Sequence, residues 1–167
     1  MGKFRYPMLC VAAVAIALGV YAMVFHKTPA PDAAFASIKG ETVTLSELRG
    51  KVVLVNFWAT DCAVCVKEMP AITATYEKFR ARGFEIIAVA MRHDPPNYVL
   101  AYAEKNALPF KVVFDPVGAH AKAFGNVKLT PTMFVIDRHG NIVSRIQGAP
   151  DFARLHALLE ATLSEKL

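Results

Sequence analysis

The chain carries three cysteines, and two of them stand three apart in Cys62-Ala63-Val64-Cys65. Paired thiols can pass two electrons reversibly by closing and opening a disulfide. The pair sits where an apolar run, Lys51 to Trp58, gives way to a long helical pattern. At the first turn of a helix, unpaired backbone N–H groups and the macrodipole stabilise negative charge. A thiolate there has a lowered pKa and is present at neutral pH as a nucleophile. The i, i+3 spacing sets the second sulfur on the same helix face, close enough to attack a mixed disulfide on the first.

Other uses of these residues have to be weighed. A structural zinc site needs four ligands, and no second Cys/His pair has suitable spacing. A purely structural disulfide closing so short a loop stabilises little. Copper(I) could be held by the two sulfurs with Met133. A thiol peroxidase would attack peroxide with Cys62, using Thr60 two residues before it. The proline usual upstream of such sites is missing, because Val55-Asn56-Phe57 occupies that stretch. Thiol–disulfide exchange is the preferred reading, with no metal and no further cofactor.

A second candidate is Thr130-Pro131-Thr132, just ahead of an apolar strand. A cis bond at Pro131 would leave the backbone groups of Thr130 unspent and turned toward a neighbouring site. They could then pair with an extended substrate segment as an added strand. An ordinary trans edge proline is the alternative, and the residues alone do not choose between them.

The elements that must position these groups are legible from period and punctuation. Phe35 to Thr44 reads as a hairpin turning at Lys39-Gly40, and Ser46 to Gly50 as one helical turn. Lys51 to Trp58 and Phe84 to Met91 are apolar, β-branched strands buried on both faces. Between them a helix runs from Cys62 to Arg82, bent at Pro70 and stopped by Gly83. Pro95 to Asn106 is a helix, Lys111 to Phe114 a short strand and Val117 to Phe124 a short helix. Thr132 to Asp137 and Ile142 to Gln147 form a hairpin around Arg138-His139-Gly140-Asn141, and Phe152 to Glu165 is a final amphipathic helix. The order β-α-β-α-β-α-β-β-α predicts an α/β fold, a mixed sheet, parallel first and antiparallel at the end, covered on both faces.

The N-terminal region is of another kind. Met8 to Phe25 is an uncharged, apolar run of 18 residues, about 27 Å as a helix, enough to cross a bilayer. Lys3 and Arg5 precede it, so the rest of the chain is expected outside the cytoplasm. A cleaved signal peptide is the alternative, but Ala34-Phe35-Ala36 lies too far beyond Phe25 for the usual cleavage geometry. Cys10 precedes nearly all of the apolar run, the wrong order for a lipoprotein cysteine. We therefore expect residues 1–27 to be a cytoplasmic stub and single membrane anchor, 28–34 a Pro/Ala-rich linker, and 35–167 the folded domain. With Lys3, Arg5 and Lys27 set aside, 16 basic residues face 14 acidic ones, a net of +2. That balance, with no basic stripe, gives nucleic-acid binding no support.

Taken together, the stretch KVVLVNFWAT-x-CxxC-xx-EMP from Lys51 to Pro70 and Thr130-Pro131-Thr132 downstream resemble the TlpA/ResA-like branch of the thioredoxin superfamily. The resemblance runs from Phe35 to Leu167. It implies a thioredoxin-like sheet with an N-terminal hairpin, Cys62 as attacking thiol, Cys65 as resolving thiol and a cis Pro131. It also implies a role for Glu68, three residues after Cys65, in accepting or returning the resolving thiol's proton; a solvated helix glutamate is the plainer alternative. The implied partners are disulfide- or thiol-bearing exported proteins, such as apocytochromes c or copper-protein precursors, and a membrane donor of electrons. The chain departs from that family at Asp61, where a bulky residue, often Trp, is usual. A carboxylate there raises the Cys62 pKa by like-charge repulsion, or caps the helix and spends its charge on backbone N–H groups, or repels acidic partners. Trp58 is expected to pack under the motif. His93, His120 and His139 read as solvated, and Asp94 and Asp115 as turn and capping residues.

Overall fold

The structure, a computed structural model, describes residues 28–165. The expected anchor and Cys10 lie outside the described residues, and among the described residues no helix is long and apolar enough to cross a membrane. Along the chain come β1 (Thr28–Pro29), the hairpin strands β2 (Ala34–Ala36) and β3 (Thr42–Thr44), β4 (Val52–Trp58) and helix α1 (Ala63–Phe79). They are followed by β5 (Phe84–Ala90), α2 (Pro96–Lys105), β6 (Lys111–Phe114), α3 (Ala119–Ala123), β7 (Thr132–Ile136), β8 (Asn141–Gln147) and α4 (Phe152–Ser164).

Six strands make one sheet in the order β1-β8-β7-β4-β5-β6. The pairs β4–β5 and β5–β6 are parallel, while β7 runs antiparallel to β4 and to β8. This is the mixed sheet expected from the sequence, parallel on one side and antiparallel on the other. All seven residues of β4 are buried, because it has a strand on each edge and a packed layer on each face. Alternation sends Val52, Leu54 and Trp58 into a core shared with α1, α2 and α4. Val53, Val55 and Phe57 enter a second core closed by the β2–β3 hairpin and α3. The hairpin is tied to the far edge of the sheet by a bridge between Ser37 and Val113.

Three boundaries differ from expectation. Thr28-Pro29, read as the start of a linker, forms an edge strand on β8, with Thr28 opposite Ile142. A two-residue edge pairing leaves no period in the sequence to detect. Ser46 to Gly50 closes as hydrogen-bonded turns rather than as a helix, the Leu48 N–H donating to the Leu45 carbonyl at 3.2 Å. Helix α1 runs through Pro70 and ends at Phe79, and Arg80–Arg82 tighten into a 3₁₀ turn stopped by Gly83 at φ 87°.

Phe35 shows how firmly the hairpin belongs to the domain. It is fully buried, stacks on His120 at 4.6 Å and lies 6.4 Å from Phe124, ring centre to ring centre. His120, expected in solvent, is half-buried by that stack. Truncating a buried Phe removes its transfer free energy and leaves a cavity, a loss of about 3–5 kcal/mol. Phe35→Ala should lower the stability of the oxidised protein by that amount in denaturant titrations. A loss below about 1 kcal/mol would mean that the hairpin is not part of the cooperative core.

Candidate active site

The parallel strands β4, β5 and β6 all point their C-terminal ends the same way. In register, Trp58 lies opposite Ala90 and Ala90 opposite Phe114, while Phe57 lies opposite Thr132 at the start of β7. The loops leaving β4, β5 and β6 and the loop entering β7 therefore meet at one end of the sheet. Such carboxyl ends are where open α/β sheets place their sites.

The chain leaves β4 at Trp58 and passes Ala59, Thr60 and Asp61 to reach Cys62, the N-cap of α1. The Cys62 sulfur accepts from the Cys65 N–H at 3.2 Å. Cys62 and Cys65 are joined as a disulfide, with their Cα atoms 5.2 Å apart. Their exposure is unequal: Cys62 is half-buried, whereas Cys65 is buried. One sulfur can thus meet an incoming group while the other waits behind it. On reduction, the helix N–H groups and dipole favour a thiolate at Cys62.

Glu68 lies one turn beyond Cys65 and is 7% exposed, so the solvated-glutamate alternative is set aside. Neither of its carboxyl oxygens has a hydrogen-bond partner among the described residues. Burial raises its pKa above the ordinary 4.5, with Lys67 opposing weakly. The protonated carboxyl is the form that a dry environment prefers.

Asp61 does not cap α1, since Cys62 holds that position. Its carboxylate instead lies 3.4 Å from His93 Nε2, and both groups are largely exposed. His93 is therefore exposed but not alone: it is the partner of the carboxylate next to Cys62. Asp94 is not only a turn residue either. It is buried, and its carboxylate accepts from the Thr60 N–H at 2.6 Å and from the Thr60 hydroxyl at 2.5 Å. These bonds clamp the loop after β5 to the loop carrying Cys62. A contact between residues 34 apart leaves no local pattern, and the prolines after Asp94 suffice to account for it locally. Asp115 does act as expected, accepting from the His120 and Ala121 N–H groups at 3.2 and 2.9 Å.

The Thr130–Pro131 bond is cis. Pro131 is buried, Thr130 is half-buried, and the Pro131 carbonyl accepts from Gly148 N–H at 2.8 Å. Among the described residues neither backbone group of Thr130 has a partner. Trp58 is fully buried and packs on Tyr102, ring centres 5.2 Å apart, as a core plug beneath the motif. Met133 is fully buried in β7. His139 is exposed in the β7–β8 turn.

Comparison with known proteins places this geometry among relatives. The family model described as Redoxin matches residues 26–159. The chain is 30% identical over 164 residues to a thiol-disulfide oxidoreductase ResA of Bacillus cereus, covering 94% of each. It is 34% identical over 151 residues to a protein of the same name from Geobacillus kaustophilus, covering 86% of each. Among solved structures, a thiol:disulfide interchange protein of the thioredoxin family from Chlorobium tepidum matches with a TM-score of 0.76 at 27% identity, over 83% of this chain and 98% of that one.

The buried Glu68 fixes the sign of a pH effect. Its folded-state pKa is raised, so its contribution to stability is full below the unfolded value and is lost as pH rises through the folded one. Replacing it with a neutral isostere removes that loss. Glu68→Gln should make the oxidised protein more stable than the parent at about pH 8, with the two converging toward about pH 4. Denaturation midpoints across that range check it, and a variant less stable at high pH would contradict a buried, unpartnered carboxyl.

Proposed function

The chain belongs to the Redoxin family, as a thiol–disulfide oxidoreductase of the ResA kind, and from that premise we propose that it is a membrane-anchored, extracytoplasmic reductase of disulfides in exported proteins. The observation that carries the mechanism is the pairing of a half-open Cys62 at a helix N-terminus with a buried Cys65. In the reduced enzyme the Cys62 thiolate attacks one sulfur of a substrate disulfide. The other substrate sulfur leaves as a thiolate, taking up a proton, and a mixed disulfide forms. Cys65, losing its proton, then attacks the Cys62 sulfur. The substrate's second sulfur is expelled, and two electrons have passed to the substrate as the Cys62–Cys65 bond closes.

Glu68 takes the Cys65 proton in this reading, a role supported by its burial three residues after Cys65 and by a pKa that burial raises. The unpartnered backbone of Thr130, ahead of the cis Pro131, suits pairing with an extended substrate segment beside Cys62. The oxidised pair must be returned to the dithiol by an external donor, for which a membrane thiol relay is the matching chemistry. The uncharged Met8–Phe25 run, with Lys3 and Arg5 ahead of it, supports an uncleaved anchor and an extracytoplasmic domain. Cysteine-bearing exported proteins, such as apocytochromes c or copper-protein precursors, are the substrate class this reading favours.

Trapping separates the two cysteines. Cys65→Ser, reduced and mixed with a disulfide-bonded peptide, should accumulate a mixed disulfide through Cys62, seen as an adduct by mass spectrometry under non-reducing conditions. Cys62→Ser should accumulate none, and equal adducts on both variants would overturn the division of labour. The reduction potential decides direction. A value well below about −220 mV makes the protein a reductant, whereas one near about −120 mV makes it a disulfide donor.

A further inference from the structure

A cleft of about 690 Å³ opens between the loop after β5, α3 with the turn before it, and the segment joining α3 to β7. Its walls carry Arg92, His93, Lys122 and Lys128, and among the described residues no acidic side chain lines it. The carboxylates that neighbour it in sequence are already engaged. Asp94 is buried against Thr60, and Asp115 is buried against the first turn of α3. Asp61 is 3.4 Å from His93, outside the lining. Arg92, Lys122 and Lys128 therefore present permanent positive charge with no carboxylate in the cleft wall to cancel it. Apart from Asn126, the remaining lining residues carry no polar side chain: Val127 is buried, and Val117 is 77% exposed.

Two of its lining residues lead toward the redox site. His93 touches Asp61, the residue before Cys62, and Lys128 stands two residues before the Thr130–Pro131 bond. Resting on the reductase reading above, we propose that this cleft receives an acidic segment of the substrate polypeptide, flanking the disulfide that Cys62 attacks. Charge complementarity selects the occupant. A carboxylate-bearing chain is drawn to three cations that focus a positive potential in a concave site, and an apolar side chain beside the carboxylate finds Val117. A basic segment is repelled from the same place. Charge here acts mainly on encounter and register, so the effect should appear in kcat/KM and weaken with salt.

The test uses the full-length chain in detergent and two disulfide-bonded peptides, identical except that Asp and Glu flank the cysteines in one and Asn and Gln in the other. At low ionic strength the acidic peptide should be reduced with about tenfold higher kcat/KM, and added salt should erase the advantage. The triple variant R92A/K122A/K128A should lose the preference while reducing the neutral peptide at the parent rate. Lys122→Glu alone should weaken the preference, which guards against misfolding of the triple variant. Equal rates for both peptides in the parent would overturn the cleft's role and leave the reductase reading intact. Reduction of neither peptide would sink both. Binding of phosphatidylglycerol vesicles that needs the same three cations, without any peptide preference, would assign the cleft to a lipid headgroup and overturn the proposal.

Discussion

Strand β4 is hydrogen-bonded on both edges and covered on both faces, so all seven of its side chains are buried. A strand in that position cannot slip by one residue without sending each apolar group to the wrong core. Its register therefore fixes where the chain emerges, and the chain emerges at Trp58. From there it passes three residues to Cys62, the N-cap of α1. The same register aligns Trp58 with Ala90, and Phe57 with Thr132. Three loops with no sequence relation thus meet around one disulfide because their strands are locked to a single central partner. The Asp94–Thr60 clamp then fixes the loop itself, where the sheet's hydrogen bonding has run out.

Two opposing influences act on Cys62. The N-terminal N–H groups of a 17-residue helix favour negative charge at the sulfur. The Asp61 carboxylate next to it disfavours that charge, and His93 stands against Asp61 at 3.4 Å. Because both of these side chains are exposed, water and salt screen their effect more than they screen the helix end. The helix influence is built into the backbone, and the other is a surface adjustment to it. Cys65 has no such choice: it is buried, and the nearby acid, Glu68, is itself buried and without hydrogen-bond partners among the described residues.

Much of this could be read from the sequence, and the reason is periodicity. Val52–Trp58 and Phe84–Ala90 are apolar at nearly every position because both faces are buried, and an unbroken run of that kind stands out from the alternating strands. The CxxC motif gains meaning from its place at a strand-to-helix junction, which the same reading located. What stayed hidden was non-local or too short to have a period. Thr28-Pro29 pairs with β8 over two residues. Asp94 reaches Thr60 across the sheet end, although its local setting before two prolines was explanation enough. For Asp61 capping was one alternative beside repulsion, and the structure removes it by making Cys62 the cap and leaving Asp61 to His93. The cis bond at Pro131 was accessible only through the family resemblance, because either isomer is compatible with the residues around it.

The distribution of unsatisfied polar atoms argues that this end of the domain is built for chemistry at some cost in stability. Among the described residues, Asn56, Trp58, Glu68 and Arg138 hold buried side-chain nitrogens or oxygens with no partner. Three of those four lie on β4 or α1, the two elements that frame the disulfide. Each such atom costs about 1–3 kcal/mol relative to a paired one, so a sequence selected for stability alone would not gather them in one place. Apolar substitutes would fill β4 without strain on its pattern, as Val53 and Val55 do on the opposite face. Glu68 is the member whose orphaned state has a chemical consequence, because burial without a cationic partner leaves its pKa raised. Pairing it with a cation would stabilise its charged form and remove the proton it can carry. That isolation, three residues after the buried Cys65, is borne by a helix whose inner face packs into the core beside β4.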